Sequence, residues 1–357
     1  MPDRLVHYSL SLPHQYPRPD LIRQFGASVG TLREHNGAIP VVLFVHGALP
    51  AELAAICGEH DVMVHEQGPY ERRLAALCPA GWQALAEYPL LHKFLNLREL
   101  AATGASQVLC CDCDTVFLRD VAELFDRYDG PDVVAREEVH SGRSAYGADR
   151  AFIDEPLLAL LAAREGAVPV PPFNLGVVLL NNGAARRLAG LDALLLDYAW
   201  RLVCWMAHNP VEGEAAAFGE FQGAAAARAA AGPADLARAL PYPSVNRWIL
   251  DEVALWLALG HVGGLRTADF SPRDVAQNGE FAGSDPDAAG WILCHYYSQN
   301  TERIAAWMRR RRTLTAASPN PLAGGINGFG EAEGPTDPET GEQARARVPQ
   351  HAQLRVP

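Results

Sequence analysis

Val108-Leu109-Cys110-Cys111-Asp112-Cys113-Asp114-Thr115-Val116-Phe117-Leu118 is the stretch on which the fold turns. A short apolar run ends in two carboxylates two positions apart, and apolar residues then resume at once. Such a run reads as a strand covered on both faces, expected at Gln107 to Cys111. In extended backbone, residues i and i+2 project to one side. Asp112 and Asp114 are therefore expected to converge just past the strand's carboxyl end, where open parallel sheets bind ligands. Two anions held together there repel unless a cation joins them. Mg²⁺ or Mn²⁺, shared between carboxylate and phosphate oxygens, is the natural partner. The apolar residues on both flanks set this Asp-x-Asp apart from the same pattern in a solvated turn.

Working outward, strands are expected at Arg4 to Leu12, Ile39 to Val45 and Val62 to His65, with helices at Asp20 to His35 and Pro50 to Cys57 between them. That alternation builds a parallel sheet with right-handed crossovers. Leu90 to Ala102 reads as a helix leading into the decisive strand. Beyond it, Phe173 to Leu180 is a strand closed by Asn181-Asn182-Gly183, and Ala184 to Ala207 is mostly helical. Residues 208–240 read as an Ala-rich helical insertion. Trp248 to Leu259 is a helix apolar nearly all round, and Trp291 to Tyr297 a late strand. The expected organisation is a catalytic domain over 1–300, then a terminal helix and flexible tail over 301–357, periodicity fading beyond about Thr313.

The composition narrows the function. With 49% hydrophobic residues in 357, the chain can bury a sizeable core. A formal net charge of −12 argues against a nucleic-acid footprint, which needs clustered Lys and Arg. Leu191 to Ala207 is interrupted by Asp192, Asp197 and Arg201, so no transmembrane segment is expected. Seven cysteines at irregular spacing fit reduced thiols and a cytoplasmic setting better than a disulfide framework.

Five positions stand out on their own chemistry. At 100° per residue Lys93 falls on the apolar arc of its helix, while His92, Asn96 and Glu99 form the polar face. A lysine there either snorkels outward or meets an anion. Asn174 and Gly176 interrupt a strand of large apolar residues. A glycine inside a strand marks a bulge or a close approach of ligand or backbone, and a buried amide needs partners. Asp251 and Glu252 sit on the all-apolar helix, where an unpaired carboxylate costs several kcal/mol, so something nearby must compensate.

Cys111-Asp112-Cys113-Asp114-Thr115-Val116-Phe117-Leu118, followed by Val121, Leu124 and Phe125, resembles the Asp-x-Asp segment of GT-A-fold glycosyltransferases, most of all the glycogenin-like and lipopolysaccharide galactosyltransferase-like enzymes. Further features follow in the family's order across residues 4–300. Pro172-Phe173-Asn174-Leu175-Gly176 is similar to its Phe-Asn-x-Gly strand, Asp251-Glu252-x-Ala254-Leu255 to its acidic helix, and His295 to its late histidine. The resemblance implies an α/β fold of GT-A type, with a single, mostly parallel, Rossmann-like sheet flanked by helices. It implies a nucleotide-sugar donor, UDP expected as the nucleotide, lying along Tyr8, Ser9, Lys93, Asp112, Cys113, Asn174 and Gly176. Mn²⁺ or Mg²⁺ would be held by Asp112, Asp114 and His295, with Asp251 and Glu252 as catalytic carboxylates. The acceptor is left open among glycans, lipids, proteins and small molecules. The chain departs from the glycogenin-like group after His295, where Tyr296-Tyr297-Ser298-Gln299 replaces its His-x-x-Gly pattern, so stereochemistry stays open.

Two alternatives remain at this stage. Asp112-Cys113-Asp114-Thr115-Val116 also satisfies the Asp-x-Asp-x-Thr/Val opening of haloacid-dehalogenase-type phosphatases, although that opening normally lies near a domain's N-terminus. The other is a non-catalytic nucleotide-sugar-binding protein.

Overall fold

The computed structural model describes residues 3–12, 18–86, 89–137, 166–167, 173–208, 250–277, 280, 286–296 and 301–317. The chain divides into two compact units, Met1–Trp307 and Met308–Pro357. The expected Ala-rich insertion lies outside the described residues, apart from the His208 that ends a helix, and so does the expected tail beyond Ala317.

The N-terminal half alternates as its apolar runs predict. It holds β1 (Arg4–Ser11), α1 (Arg18–His35), β2 (Val41–His46), α2 (Ala51–Glu59), β3 (Val62–Gln67), α3 (Tyr70–Leu77) and α4 (Trp82–Leu85). Then come a 3-10 helix over Pro89–Asn96, α5 (Leu97–Ala102), β4 (Gln107–Cys111), β5 (Thr115–Phe117), α6 (Ala122–Arg127) and β6 (Val133–Glu137). The later elements are β7 (Phe173–Leu180), α7 (Ala184–Leu188), α8 (Asp192–His208), α9 (Leu250–Val262), β8 (Thr267–Asp269), β9 (Val275–Ala276), α10 (Pro286–Ala289), β10 (Leu293–His295) and α11 (Thr301–Ala317).

The main sheet has seven strands in the order β3-β2-β1-β4-β7-β6-β8. Four of its six pairings are parallel, and β7 runs antiparallel to both β4 and β6. The fold is thus α/β with a large, mostly parallel central sheet. All eight residues of β7 are buried, as a central strand covered on both faces requires. The sequence reading named one sheet; the structure adds a second, of three strands in the order β5-β10-β9.

Two apolar layers sandwich the main sheet. On one side Leu5, Phe44, Val108 and Val178 pack with Leu97, Leu100, Leu188 and Trp256. On the other Val6, Tyr8, Leu109 and Val177 pack with Phe25 from α1 and with Phe117 and Leu293 from the small sheet. Successive β1 residues therefore serve opposite layers, the period of two that strands impose.

The segment expected as one helix over Leu90 to Ala102 is a 3-10 helix that passes into the α-helix α5. In a 3-10 helix, side chains three apart eclipse, which aligns Lys93 with Asn96. Two residues of the face read from sequence as polar turn inward: His92 and Asn96 are fully buried, while Glu99 stays partly exposed. His92 Nε2 bonds the carbonyl of Ser9 at 2.9 Å, and Asn96 Nδ2 donates to Ser9 Oγ at 2.5 Å. His46 Nε2 lies 3.2 Å from Asn96 Oδ1. Among the described residues, no helix is long and apolar enough to cross a membrane.

Candidate active site

β4 delivers Asp112 to the carboxyl edge of the sheet, and two neighbours hold it there. Because β7 is antiparallel, its start meets β4's end, and the Asp112 amide donates to the Gly176 carbonyl at 2.8 Å. On the other side β10 pairs with β5 so that His295 faces Thr115, and the Tyr296 amide donates to the Asp114 carbonyl at 3.0 Å. The Asp-Cys-Asp segment is thus suspended between the two sheets. It is a turn rather than the extended strand that the i, i+2 argument assumed, since the chain must step from β4 to β5 within three residues.

The carboxylates converge all the same. Asp112, Asp114 and His295 each present one ligand atom, all within 4.8 Å of one another. His295 Nε2 lies 3.3 Å from Asp114 Oδ1 and 3.9 Å from Asp112 Oδ2. The imidazole is 5% exposed, and Asp112 and Asp114 are 27% and 19% exposed. Two carboxylates and an imidazole converging at a partly open edge form a donor set that suits a divalent cation of the Mn²⁺ or Mg²⁺ kind. Burial raises the Asp114 carboxyl, but the charge and hydrogen bond of His295 pull it below the usual carboxylate range.

Lys93 meets an anion rather than solvent. Its Nζ is 2.6 Å from Asp112 Oδ1 and 3.7 Å from Asp251 Oδ2. Burial works against its charge, yet Asp112 and Asp251 outweigh burial and raise its pKa, so it stays a cation. Asp251 is 2% exposed. Burial lifts its carboxyl to about 6, with Lys93 pulling it down and Asp112 pushing it up. Asp251 Oδ1 is buried with no hydrogen-bond partner among the described residues.

The adjacent Glu252 does a different job. Its Oε1 accepts from Asn174 Nδ2 at 3.1 Å and from the Leu175 amide at 3.3 Å. Asn174 Oδ1 in turn accepts from the Gly176 amide at 2.8 Å. These bonds fasten an irregularity where the β6–β7 register shifts between Ala135 and Arg136. Gly176 is needed because the His295 ring fills the space where a β-carbon would stand. The close approach read from sequence is thus made by a side chain.

The remaining expected donor contacts are dispersed. Ser9 faces the same side as Lys93, whereas Tyr8 points into the opposite layer, fully buried, its hydroxyl 2.7 Å from Ser28 Oγ. Cys113 is buried too, its thiol pushed up by desolvation. Sequence reasoning missed His7. It is 4% exposed, lies on the Lys93 side, and neither ring nitrogen has a hydrogen-bond partner among the described residues. Its position two residues before Ser9 on an apolar strand was the available signal.

No protein-family model matches the chain, and no curated protein sequence matches it. Among solved structures it is similar to mouse xyloside xylosyltransferase 1, at 13% identity and a TM-score of 0.43, covering 81% of this chain and 96% of that one. It is similar to the galactosyltransferase LgtC at 12% identity and a TM-score of 0.45, covering 86% and 95%. The glycosyltransferase GlyE of Streptococcus pneumoniae aligns at 14% identity and a TM-score of 0.39, covering 89% and 66%.

Proposed function

We propose that this chain is a metal-dependent glycosyltransferase that moves a sugar from a nucleoside diphosphate, UDP foremost, to an acceptor hydroxyl. The observation that carries the reading is the convergence of Asp112, Asp114 and His295 at the carboxyl end of β4, with the Lys93 ammonium beside it. A bound Mn²⁺ or Mg²⁺ supplies Lewis-acid neutralisation of the departing diphosphate. Lys93 adds a second positive charge on the side away from His295, placed for a phosphate oxygen.

Asp251 is the carboxylate with a reacting role. Its Oδ1, without a hydrogen-bond partner among the described residues, and its pKa of about 6 suit it to take a proton near neutrality. In an inverting transfer it would be the general base toward the acceptor hydroxyl; in a retaining one it would stabilise positive charge on the sugar. Glu252 holds Asn174 and the start of β7 in place. The acceptor belongs to an open class of glycans, lipids, proteins or small molecules, and we place the reaction in the cytoplasm.

The test is a panel of UDP-sugars with Mn²⁺, read as UDP release. Release that vanishes with EDTA and in Asp114→Ala or Asp251→Asn supports the transferase. Metal-dependent UDP binding without turnover on any donor favours the non-catalytic alternative. Hydrolysis of p-nitrophenyl phosphate, lost in Asp112→Asn, favours the phosphatase.

A further inference from the structure

A cavity of about 60 Å³ opens beneath the Lys93–Asp112 pair, on the side of the sheet away from His295. Its floor is apolar, formed by Leu97, Leu100 and Val178, and its polar lining includes His7 and Ser9. By the usual allowance this is room for about four waters, or for one small substituent. His7 pairs in register with Cys110, two residues before Asp112, so its backbone sits about 7 Å along the strand from the level of Asp112. Burial first, then His92 and Lys93, lowers the His7 pKa to about 3, so the ring is neutral, with one nitrogen a donor and the other an acceptor. Both nitrogens are buried without partners among the described residues. Ser9 Oγ already accepts from Asn96 and keeps its own proton to donate.

We propose that this cavity seats a 2-acetamido substituent of the donor sugar, with His7 as the residue that selects for it. The inference rests on the transferase reading above. The diphosphate belongs at the cation, and Asp112 is shared between that site and the cavity lining, so the part of the donor nearest the cavity is a group close to the anomeric carbon. The carbon next to it carries such a group. An acetamido group matches the lining: its carbonyl accepts from the protonated His7 nitrogen or from Ser9, and its methyl meets Leu97, Leu100 and Val178. A plain hydroxyl at that carbon brings neither the carbonyl nor the methyl that this lining matches, and leaves the imidazole unsatisfied, which a buried polar group resists. A carboxylate or an ammonium would have to shed its water against leucines and a neutral imidazole, which supply no counter-charge, so neither fits.

The experiment compares UDP-N-acetylglucosamine with UDP-glucose by calorimetric titration into the full chain with Mn²⁺, alongside UDP itself. Wild-type protein is expected to bind the acetamido donor about tenfold more tightly or better, one satisfied hydrogen bond being worth that much. His7→Leu should abolish the difference while leaving UDP affinity intact, and His7→Gln, which keeps a donor and an acceptor, should restore it. Equal wild-type affinity for the two donors overturns the inference, as does a preference that survives in His7→Leu. If UDP and both donors fail to bind, the transferase reading falls with it. The wild-type comparison decides the matter even if neither His7 variant folds.

Discussion

Gly176 and His295 compete for one volume: a β-carbon at 176 would overlap the imidazole ring. The same glycine's carbonyl receives the Asp112 amide, so one residue of β7 sets the positions of two of the three proposed ligands. Gly176→Ala should therefore act on the metal site, although residue 176 offers no side chain to an ion. Mn²⁺ affinity is expected to fall about 10- to 100-fold, the usual effect of disturbing the residues behind a ligand. Retained wild-type affinity in a folded Gly176→Ala protein would show that His295 is not a ligand.

Asp251 makes stability depend on pH in a defined window. Its carboxyl stands at 3.8 when unperturbed and is raised to about 6 by burial. Between those values the native state holds more protons than the unfolded one, so stability falls as pH rises, by about 3 kcal/mol. Asp251→Asn carries no such penalty and should be the more stable protein above pH 6 in EDTA, while losing transfer. Urea unfolding of both proteins from pH 4 to 7 checks the sign; parallel curves would mean that Asp251 is not the group responsible.

Removing Lys93 leaves Asp112 and Asp251 facing each other without their shared cation. Breaking a buried pair in this way costs about 3–5 kcal/mol, somewhat less here because Lys93 is 18% exposed. Lys93→Met should unfold at lower urea than Lys93→Arg in EDTA, and should lose affinity for UDP more than for Mn²⁺.

The neighbouring acids should separate cleanly. Glu252→Gln keeps the oxygen that accepts from Asn174 and Leu175 and should retain stability and Mn²⁺ binding. Glu252→Ala orphans those donors and should lose about 1–3 kcal/mol. Turnover that collapses in Glu252→Gln but survives in Asp251→Asn would exchange the roles assigned to them.

The strands around the site were legible because β4 and β7 carry apolar runs, Val108 to Cys111 and Val177 to Leu180, closed by polar punctuation, Asp112 on one and Asn181-Asn182-Gly183 on the other. Of the small sheet, β10 was legible within the run Trp291 to Tyr297, but β5 and β9 were not, having three and two residues, too few for any periodicity. The segment carrying Lys93 has apolar spacing that an α-helix and a 3-10 helix satisfy equally. Only the contact with Ser9 shows that His92 and Asn96 face inward. For His7 the one local signal was its place on an apolar strand; its burial depends on α5, about ninety positions later, and local sequence cannot report that.

Mn²⁺ binding followed by electron paramagnetic resonance, with and without UDP, tests the central claim most directly. The account predicts one Mn²⁺ site that UDP tightens, weakened in His295→Ala and absent in Asp112→Ala and Asp114→Ala. A manganese signal that UDP leaves unchanged, or that persists in the double Asp112→Ala/Asp114→Ala protein, would contradict it.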